Sequence, residues 1–563
     1  MASDHGDGVH AASANEDNRN GAVAPPEAEE LDGIDPTVYE RRWKILGVLC
    51  TSLLIVIIGN TVLNVALPTL QMPVAEGGIG ATNTDVQWFV DAYGLIFAGL
   101  LFTAAALGDR FGRKGALHGG LVVFALGSLL GAFAGSSIPM VIAGRAVMGV
   151  GAAFVMPSTL SILTNVFPAR ERPQAIAIWA GISGAGGAIG PLASGFLLEH
   201  FWWGSVFLVN IPIIAAALAV GAYLVPRSSD TEKTPLDPVG SVLSIVGLGA
   251  LVYAIIEGPH HGWLSGASLA WFGGAIAALV AWGVWESRID HPMLDLNLFR
   301  HRGFSVAAGG ITLIFFAMFG TFFMLTQYLQ GVLGYSPLGA AVRLLPISVV
   351  MMVVAPQTPK LVQRFGAPQV GATGLATLTL AMIGISRFQV DTSYLQLVVT
   401  MMVMAGGMAM TMTPMTTRLM TSVPLNRAGM GSATNDTTRE LGGALGVAVL
   451  GSLVTSQYSA SMESAAAALP GPLREVVTGS LGGVVGLIGR GALPADTPLL
   501  AEAKSAFVDG LSLAALVGAA IIAIAAVLVY KLMPPLPTAP IHVESHRPGS
   551  EATGETSPTP GGG

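Results

Sequence analysis

Three carboxylic acids lie inside stretches otherwise almost free of charge: Asp91, Asp436 and Glu440. An acid withdrawn from water must be paired, hydrated or neutralised by a proton, so each is a candidate for proton exchange. Asp436 and Glu440 stand four residues apart, on one helical face, with Arg439 close to both. The spacing admits two uses. In one, an acid neutralises Arg439 and stays charged. In the other, one acid takes up a proton while the second keeps the arginine paired. We expect a mixture, with Asp436 titrating or facing substrate and Glu440 to Arg439 the more structural pair. Arg145 is a further charge in an apolar run. It costs on the order of 3 kcal/mol unless paired or hydrated, so it should face the protein interior, in a functional role or as a tie between helices.

Around these charges the composition offers walls for a hydrophobic ligand. Met401, Met402, Met404, Met408, Met410, Met412 and Met415 crowd one apolar run, and Phe315, Phe316, Phe319, Phe322 and Phe323 crowd another, followed by Gln327 and Tyr328. Polarizable thioethers and aromatic faces suit varied hydrophobic or cationic ligands. Phe319, Phe323, Gln327, Met408 and Met412 are therefore candidate substrate contacts, with helix packing or lipid contact as the alternative. Asn60, which can hydrogen-bond a ligand but cannot titrate, joins them, as do Asp91 and Asp436. No metal site or cofactor is expected. Cys50 is the single cysteine, His260 and His261 fall in a short loop expected to be solvated, and no GxxxxGK[ST] phosphate loop occurs.

The elements that must hold these groups are set by composition. The chain has 563 residues, 52% hydrophobic and only 11% charged, with a mean hydropathy of +0.65. That is too apolar for a soluble globular protein and argues against a nucleic-acid binder. Breaking the sequence at charges, Pro and Gly clusters predicts fourteen membrane helices near 44–67, 86–107, 116–135, 139–163, 172–198, 204–225, 238–257, 266–286, 304–330, 338–357, 367–387, 394–416, 429–455 and 506–532. Lys and Arg alternate in support of that count: one side collects Arg41, Arg110, Arg113, Lys114, Arg170, Arg227, Arg300, Lys360, Arg418 and Lys531, and the other holds Arg387, Arg474, Arg490 and Lys504. By the positive-inside rule both termini are expected in the cytoplasm. The acidic and Ala/Asn-rich start and the Pro/Gly/Ser-rich end read as disordered tails. The first apolar run is too long for a signal peptide and reads as an uncleaved span.

Short motifs add a family. The turn between the second and third spans reads Gly108-Asp109-Arg110-Phe111-Gly112-Arg113-Lys114, which resembles the GxxxD[RK]xGR[RK] signature of the major facilitator superfamily. Its glycines permit a tight turn, Asp109 can pair with a base or sit at a helix N-terminus, and its cations fix a side of the membrane. Arg145 begins RAVMGVGAAFVMP, similar to the family's second motif. Gly186, Gly190 and Pro191 lie in GGAIGPLASG, close to the GxxxGPxxGG motif of its antiporter branch, with Ser194 in place of a glycine. The segments NTVLNVALP, QWFVDAY, LLEHFWWGSVFLVNIP, PMLDLNLF and NDTTRELGGALGVAVLGS look like the fourteen-span drug/proton antiporters, in particular the quaternary-ammonium and multidrug exporters of Gram-positive bacteria.

The resemblance runs from about Trp43 to Lys531. It implies an all-α integral membrane protein with the major facilitator fold, two six-helix bundles plus two inserted spans. The implied division is an acidic cytoplasmic tail at 1–43, an N-terminal bundle at 44–225, a linker with the two extra spans at 226–300, a C-terminal bundle at 301–533 with an extracellular loop at about 456–505, and a second tail at 534–563. It implies a proton-coupled exporter of hydrophobic or cationic drugs in the bacterial cytoplasmic membrane, not an enzyme, whose partners are substrate, protons and the bilayer, with no required protein partner. A dedicated exporter of one endogenous metabolite, such as an antibiotic or siderophore, is the alternative. Asp91 matches an acid of the quaternary-ammonium exporters. One departure stands out: most relatives carry Asp where this chain has Gly59, so proton coupling would fall to Asp91, Asp436 and Glu440.

Overall fold

The computed structural model describes residues 32–534 apart from 72–73, 75–76, 82, 230–236, 490 and 495. Without water to satisfy backbone N–H and C=O groups, an apolar run in lipid closes its own hydrogen bonds as a helix. Among the described residues fourteen helices are long and apolar enough to cross a membrane. We number them α1 (Pro36–Leu67), α2 (Trp88–Phe111), α3 (Arg113–Ala132), α4 (Ile138–Val166), α5 (Arg172–His200), α6 (Ser205–Leu224), α7 (Pro238–Gly258), α8 (Gly266–Glu286), α9 (Arg302–Val332), α10 (Leu338–Phe365), α11 (Ala367–Ile385), α12 (Tyr394–Thr421), α13 (Leu425–Ala465) and α14 (Pro498–Leu532). Several start on side-chain caps, with Asp237, Ser336 and Ser393 accepting from the backbone N–H of Gly240, Gly339 and Gln396.

Helices α1–α6 pack among themselves, as do α9–α14, and the two groups meet through α5 against α10 and α12 and through α13 against α2 and α4. The third and fourth helices of each group press together on glycine. A Cβ at Gly127 would stand 2.6 Å from the Met148 backbone nitrogen, and one at Gly407 would stand 2.6 Å from the Gly374 carbonyl oxygen. Small residues of this kind let membrane helices approach closely where no hydrophobic drive brings them together. Outside both groups, α7 packs on α2, α13 and α8. Only 17% of the apolar window of α8 is buried, which leaves most of that helix to lipid.

Two expectations need correction. The first helix starts at Pro36 rather than at 44, because Tyr39 and Arg42 are anchored: the Tyr39 hydroxyl donates to Glu171 at 2.9 Å and Arg42 Nε donates to the same carboxylate at 2.7 Å. The loop expected at 456–505 is largely helical. Helix α13 runs on to Ala465, the short helices Gly471–Gly479 and Leu481–Gly489 follow, and α14 begins at Pro498. The Tyr458 hydroxyl donates to the Val477 carbonyl at 3.0 Å and Ser459 donates to Thr478, which folds the first short helix back onto the end of α13. Residues 1–31 and 535–563, which hold most of both expected tails, lie outside the described residues.

Candidate functional site

Two clusters of charged residues lie among the membrane-spanning helices. The first surrounds Arg145 on α4, which is fully buried. Among the described residues no carboxylate accepts from it; backbone carbonyls hold it. Its Nε donates to the Phe89 carbonyl and its Nη1 to the Gly59 carbonyl, both at 2.6 Å, while the guanidinium lies 4.4 Å from the ring centre of Tyr93. Nη2 has no hydrogen-bond partner among the described residues. Gly59 thus contributes its backbone carbonyl to the arginine. A Cβ there would run into Phe124 and Met148, so this interior is packed around a glycine. The Tyr93 hydroxyl donates to the Val56 carbonyl at 3.3 Å, tying α2 to α1 beside the arginine. Asp91 stands between Phe89 and Tyr93 in sequence on α2 and is partly exposed, and Asn60 is partly exposed on α1.

The second cluster lies on α13 where the two helix groups meet. Asp436 is completely buried and Arg439 nearly so. Arg439 Nη2 donates to Ser183 Oγ on α5 at 2.7 Å, and its guanidinium lies 4.6 Å from the ring centre of Phe315 on α9 and 5.3 Å from that of Trp179 on α5. Asp436 Oδ1 is 3.7 Å from Arg439 Nη1 and accepts from Asn435 Nδ2 at 3.1 Å; Asn435 Oδ1 accepts from Thr416 Oγ1 on α12 at 3.1 Å. Among the described residues Asp436 Oδ2, Arg439 Nε and Arg439 Nη1 have no hydrogen-bond partner. Glu440 is partly exposed, within electrostatic reach of Arg439, Asp436 and Tyr93. The ion pair therefore falls on Asp436, not on Glu440 as the sequence suggested. An arginine three residues on, with its hydrogen bond directed across to α5, faces that acid instead.

The expected hydrophobic wall divides. Phe315 reaches Arg439, whereas Phe319 and Phe323 lie against Gly443 and Gly451 of α13, with a Cβ at either glycine 3.0 Å from the ring. Met408 and Met412 are buried in the protein, Met402 faces outward at 43% exposure, and Gln327 is partly buried. The side chains of His260 and His261 lie outside what the structure describes. Sequence reading missed Trp179 and Ser183. Their spacing on α5 places them on one helical face, and a tryptophan and a serine at that spacing in mid-span were the available signal.

At the end of the molecule that carries the basic turns, the Gly108–Lys114 segment clamps the two helix groups. Asp109 Oδ2 accepts from the Gly429 backbone N–H at the start of α13 (2.9 Å), and its Oδ1 accepts from Arg113 Nε at 2.6 Å. Arg113, 2% exposed, also donates from Nη2 to the carbonyls of Leu425 and Asn426, at 3.1 and 3.0 Å. A carboxylate at a helix N-terminus and a buried guanidinium bridging to the same turn are mutually supporting contacts. Lys114 Nζ donates to the Ala222 carbonyl, and Arg110 lies near the Phe111 ring.

The sequence profile described as Major Facilitator Superfamily matches residues 49–447. The chain belongs to the major facilitator superfamily. This facilitator is 36% identical over 498 residues to the "Multidrug efflux pump LfrA" of Mycolicibacterium smegmatis, covering 87% of this chain and 96% of that protein. It is 33% identical to the "Methyl viologen resistance protein SmvA" of Salmonella typhimurium over 75% of this chain and 84% of that one. It is 30% identical to the "Tetracenomycin C resistance and export protein" of Streptomyces glaucescens over 86% and 90%. Among solved structures, the human organic anion transporter MFSD10 matches the facilitator's fold with a TM-score of 0.56 at 14% identity, covering 87% of this chain and 99% of that one. The proton:xylose symporter XylE matches with a TM-score of 0.54 at 15% identity, covering 88% and 96%.

The antiporter-type motif on α5 now has a structural account. Gly186 faces Ile57 and Gly190 faces the Thr61 hydroxyl on α1, Gly181 and Gly184 face α10, and Pro191 lies in the same continuous helix. Any Cβ at position 190 would overlap that hydroxyl, so Gly190→Val is expected to halve or worse the yield of monodisperse protein in detergent, read by size-exclusion chromatography. Gly187→Ala, which meets nothing within 4 Å, should leave the yield unchanged.

Proposed function

We propose that this facilitator exports hydrophobic, chiefly cationic drugs across the bacterial cytoplasmic membrane in exchange for protons, with both termini in the cytoplasm. The observation that carries the reading is the buried Asp436–Arg439 pair at the meeting of the helix groups, in which one acid oxygen and two of the arginine's nitrogens make no hydrogen bond among the described residues. An incompletely satisfied buried charge is expensive unless it changes partner or charge state during function. In the proposed cycle a proton neutralises an acid of this cluster as drug leaves toward the outside, and release of the proton to the cytoplasm restores the site. Asp436, Glu440 and Asp91 are the proposed proton carriers, and Arg439 holds whichever acid of the cluster remains charged. The Asp109–Arg113 clamp closes the cytoplasmic end, and alternating access follows from rocking of one bundle against the other.

Energetically one proton suffices. For a neutral drug, a charge crossing 100 mV releases about 2.3 kcal/mol, which supports roughly fifty-fold accumulation; for a monovalent cation the exchange moves no net charge, and the pH gradient drives it, about tenfold per pH unit. Membrane vesicles energised with an inward-pumped proton gradient should accumulate ethidium, and a protonophore should abolish that accumulation. Uptake that persists after the gradient collapses would refute proton coupling. The names of the relatives leave room for a narrower reading, because one of them is named for a single antibiotic. A panel of unrelated hydrophobic cations separates the two: a broad exporter moves several, a dedicated one moves none or one.

A further inference from the structure

The Arg439 guanidinium occupies the kind of site that would receive an organic cation. Phe315 and Trp179 present their rings to it from two different helices, at 4.6 and 5.3 Å, and Ser183 accepts one hydrogen bond from it. Both rings are buried, Trp179 completely, and Trp179 is itself fixed by donating from Nε1 to Thr159 Oγ1 at 3.2 Å. A cation held against aromatic faces away from water is favourably placed. Yet the arginine is loosely tied for a buried guanidinium. Among the described residues it makes one side-chain hydrogen bond, its Nε and Nη1 make none, and its carboxylate neighbour stands at 3.7 Å with one oxygen accepting no hydrogen bond. Arg145 differs, with two hydrogen bonds of 2.6 Å to backbone that cannot rearrange without moving helices.

We propose that Arg439 is a resident stand-in for substrate: a lipophilic organic cation displaces its guanidinium from the Phe315–Trp179 cage, and the freed arginine turns to the carboxylates of Asp436 and Glu440. This inference rests on the export reading above and deepens it by naming what the substrate competes with. The cage takes its parts from both helix groups, Trp179 and Ser183 from α5 and Phe315 from α9. Entry of a cation would thus exchange a contact between the groups for a contact with the ligand. A neutral ligand gains nothing from the cage and must leave the arginine where it is. Selectivity for cations would follow from that competition rather than from an acid in the pocket alone.

The test uses the full chain in detergent, with tetraphenylphosphonium as the cation and triphenylphosphine oxide as a neutral compound of related shape. Arg439→Ala vacates the cage, so it should bind the cation at least about tenfold more tightly than the unaltered protein, ~1.4 kcal/mol, while the neutral compound changes by less than about twofold. Adding Trp179→Leu to that variant should remove the gain. A merely structural arginine predicts the opposite, equal or weaker binding of both compounds, and that result overturns the proposal. Where Arg439→Ala is not monodisperse, Trp179→Leu alone decides: loss of cation affinity with neutral affinity retained supports the cage, and parallel change of the two overturns it. Gradient-driven ethidium uptake by the unaltered protein, measured alongside, separates failure of this inference from failure of the export reading.

Discussion

Asp436→Asn is expected to collapse accumulation of a lipophilic cation driven by a pH gradient, roughly tenfold per pH unit for one-for-one exchange, to no accumulation, while leaving exchange of labelled for unlabelled drug across the membrane measurable. The argument is steric as well as electrostatic. Asparagine has the shape of the carboxylate it replaces and can keep the contact with Asn435, so the interior around this fully buried position should survive. What it cannot do is gain and lose a proton. If Asp436 carries the coupled proton, the variant becomes a passive exchanger. Accumulation ratio and counterflow, measured in the same vesicles, check this: loss of both would point to misfolding, and retention of both would remove Asp436 from the coupling machinery.

The second large effect is expected at the other end of the molecule. Arg113→Ala deletes the ion pair to Asp109 and both hydrogen bonds to the Leu425 and Asn426 carbonyls. Hydrogen bonds to a charged group are worth about 1.5–3 kcal/mol each, so the closed form loses several kcal/mol relative to a form in which this end is open. Because a shift of roughly 5.5 kcal/mol carries a two-state equilibrium from one extreme to the other, a loss of this size should populate the open form substantially. A cysteine placed at Met430, 7% exposed beside the clamp, reports it. In the Arg113→Ala background it should be alkylated by a water-soluble maleimide at least about tenfold faster than in the intact clamp. Cys50, 8% exposed, contributes little background. An unchanged rate would mean that the clamp does not hold this end shut.

Much of the fold could be read from sequence because the controlling quantities are local. Length and apolarity define the spans, and the alternation of Arg and Lys between loops fixes their parity, which is why all fourteen predicted spans coincide with helices. Helix ends were less legible. Extension of α1 to Pro36 depends on Glu171, far along the chain, and extension of α13 to Ala465 accompanies contacts with Val477 and Thr478 that no local pattern reports.

The site was legible as a set of charges but not as a set of partners. That Arg145 and Arg439 must face inward follows from the cost of charge in lipid, and both are buried. That one rests on two backbone carbonyls and the other on Ser183, Phe315 and Trp179 depends on which helices cross, and periodicity does not encode crossings. For the same reason the phenylalanines of α9 read as a single wall in sequence. The structure splits them between the arginine and the glycines of α13, because a helical face is specified only once its neighbour is known.

The central claim, exchange of drug for protons through the acids of this site, is tested most directly in proteoliposomes carrying an imposed pH gradient and an internal pH reporter. Addition of tetraphenylphosphonium should evoke proton movement opposite to drug in liposomes with the unaltered protein, and Asp436→Asn should abolish it. Drug movement without any proton movement in the unaltered protein, or proton movement that persists undiminished in Asp436→Asn, would contradict the account.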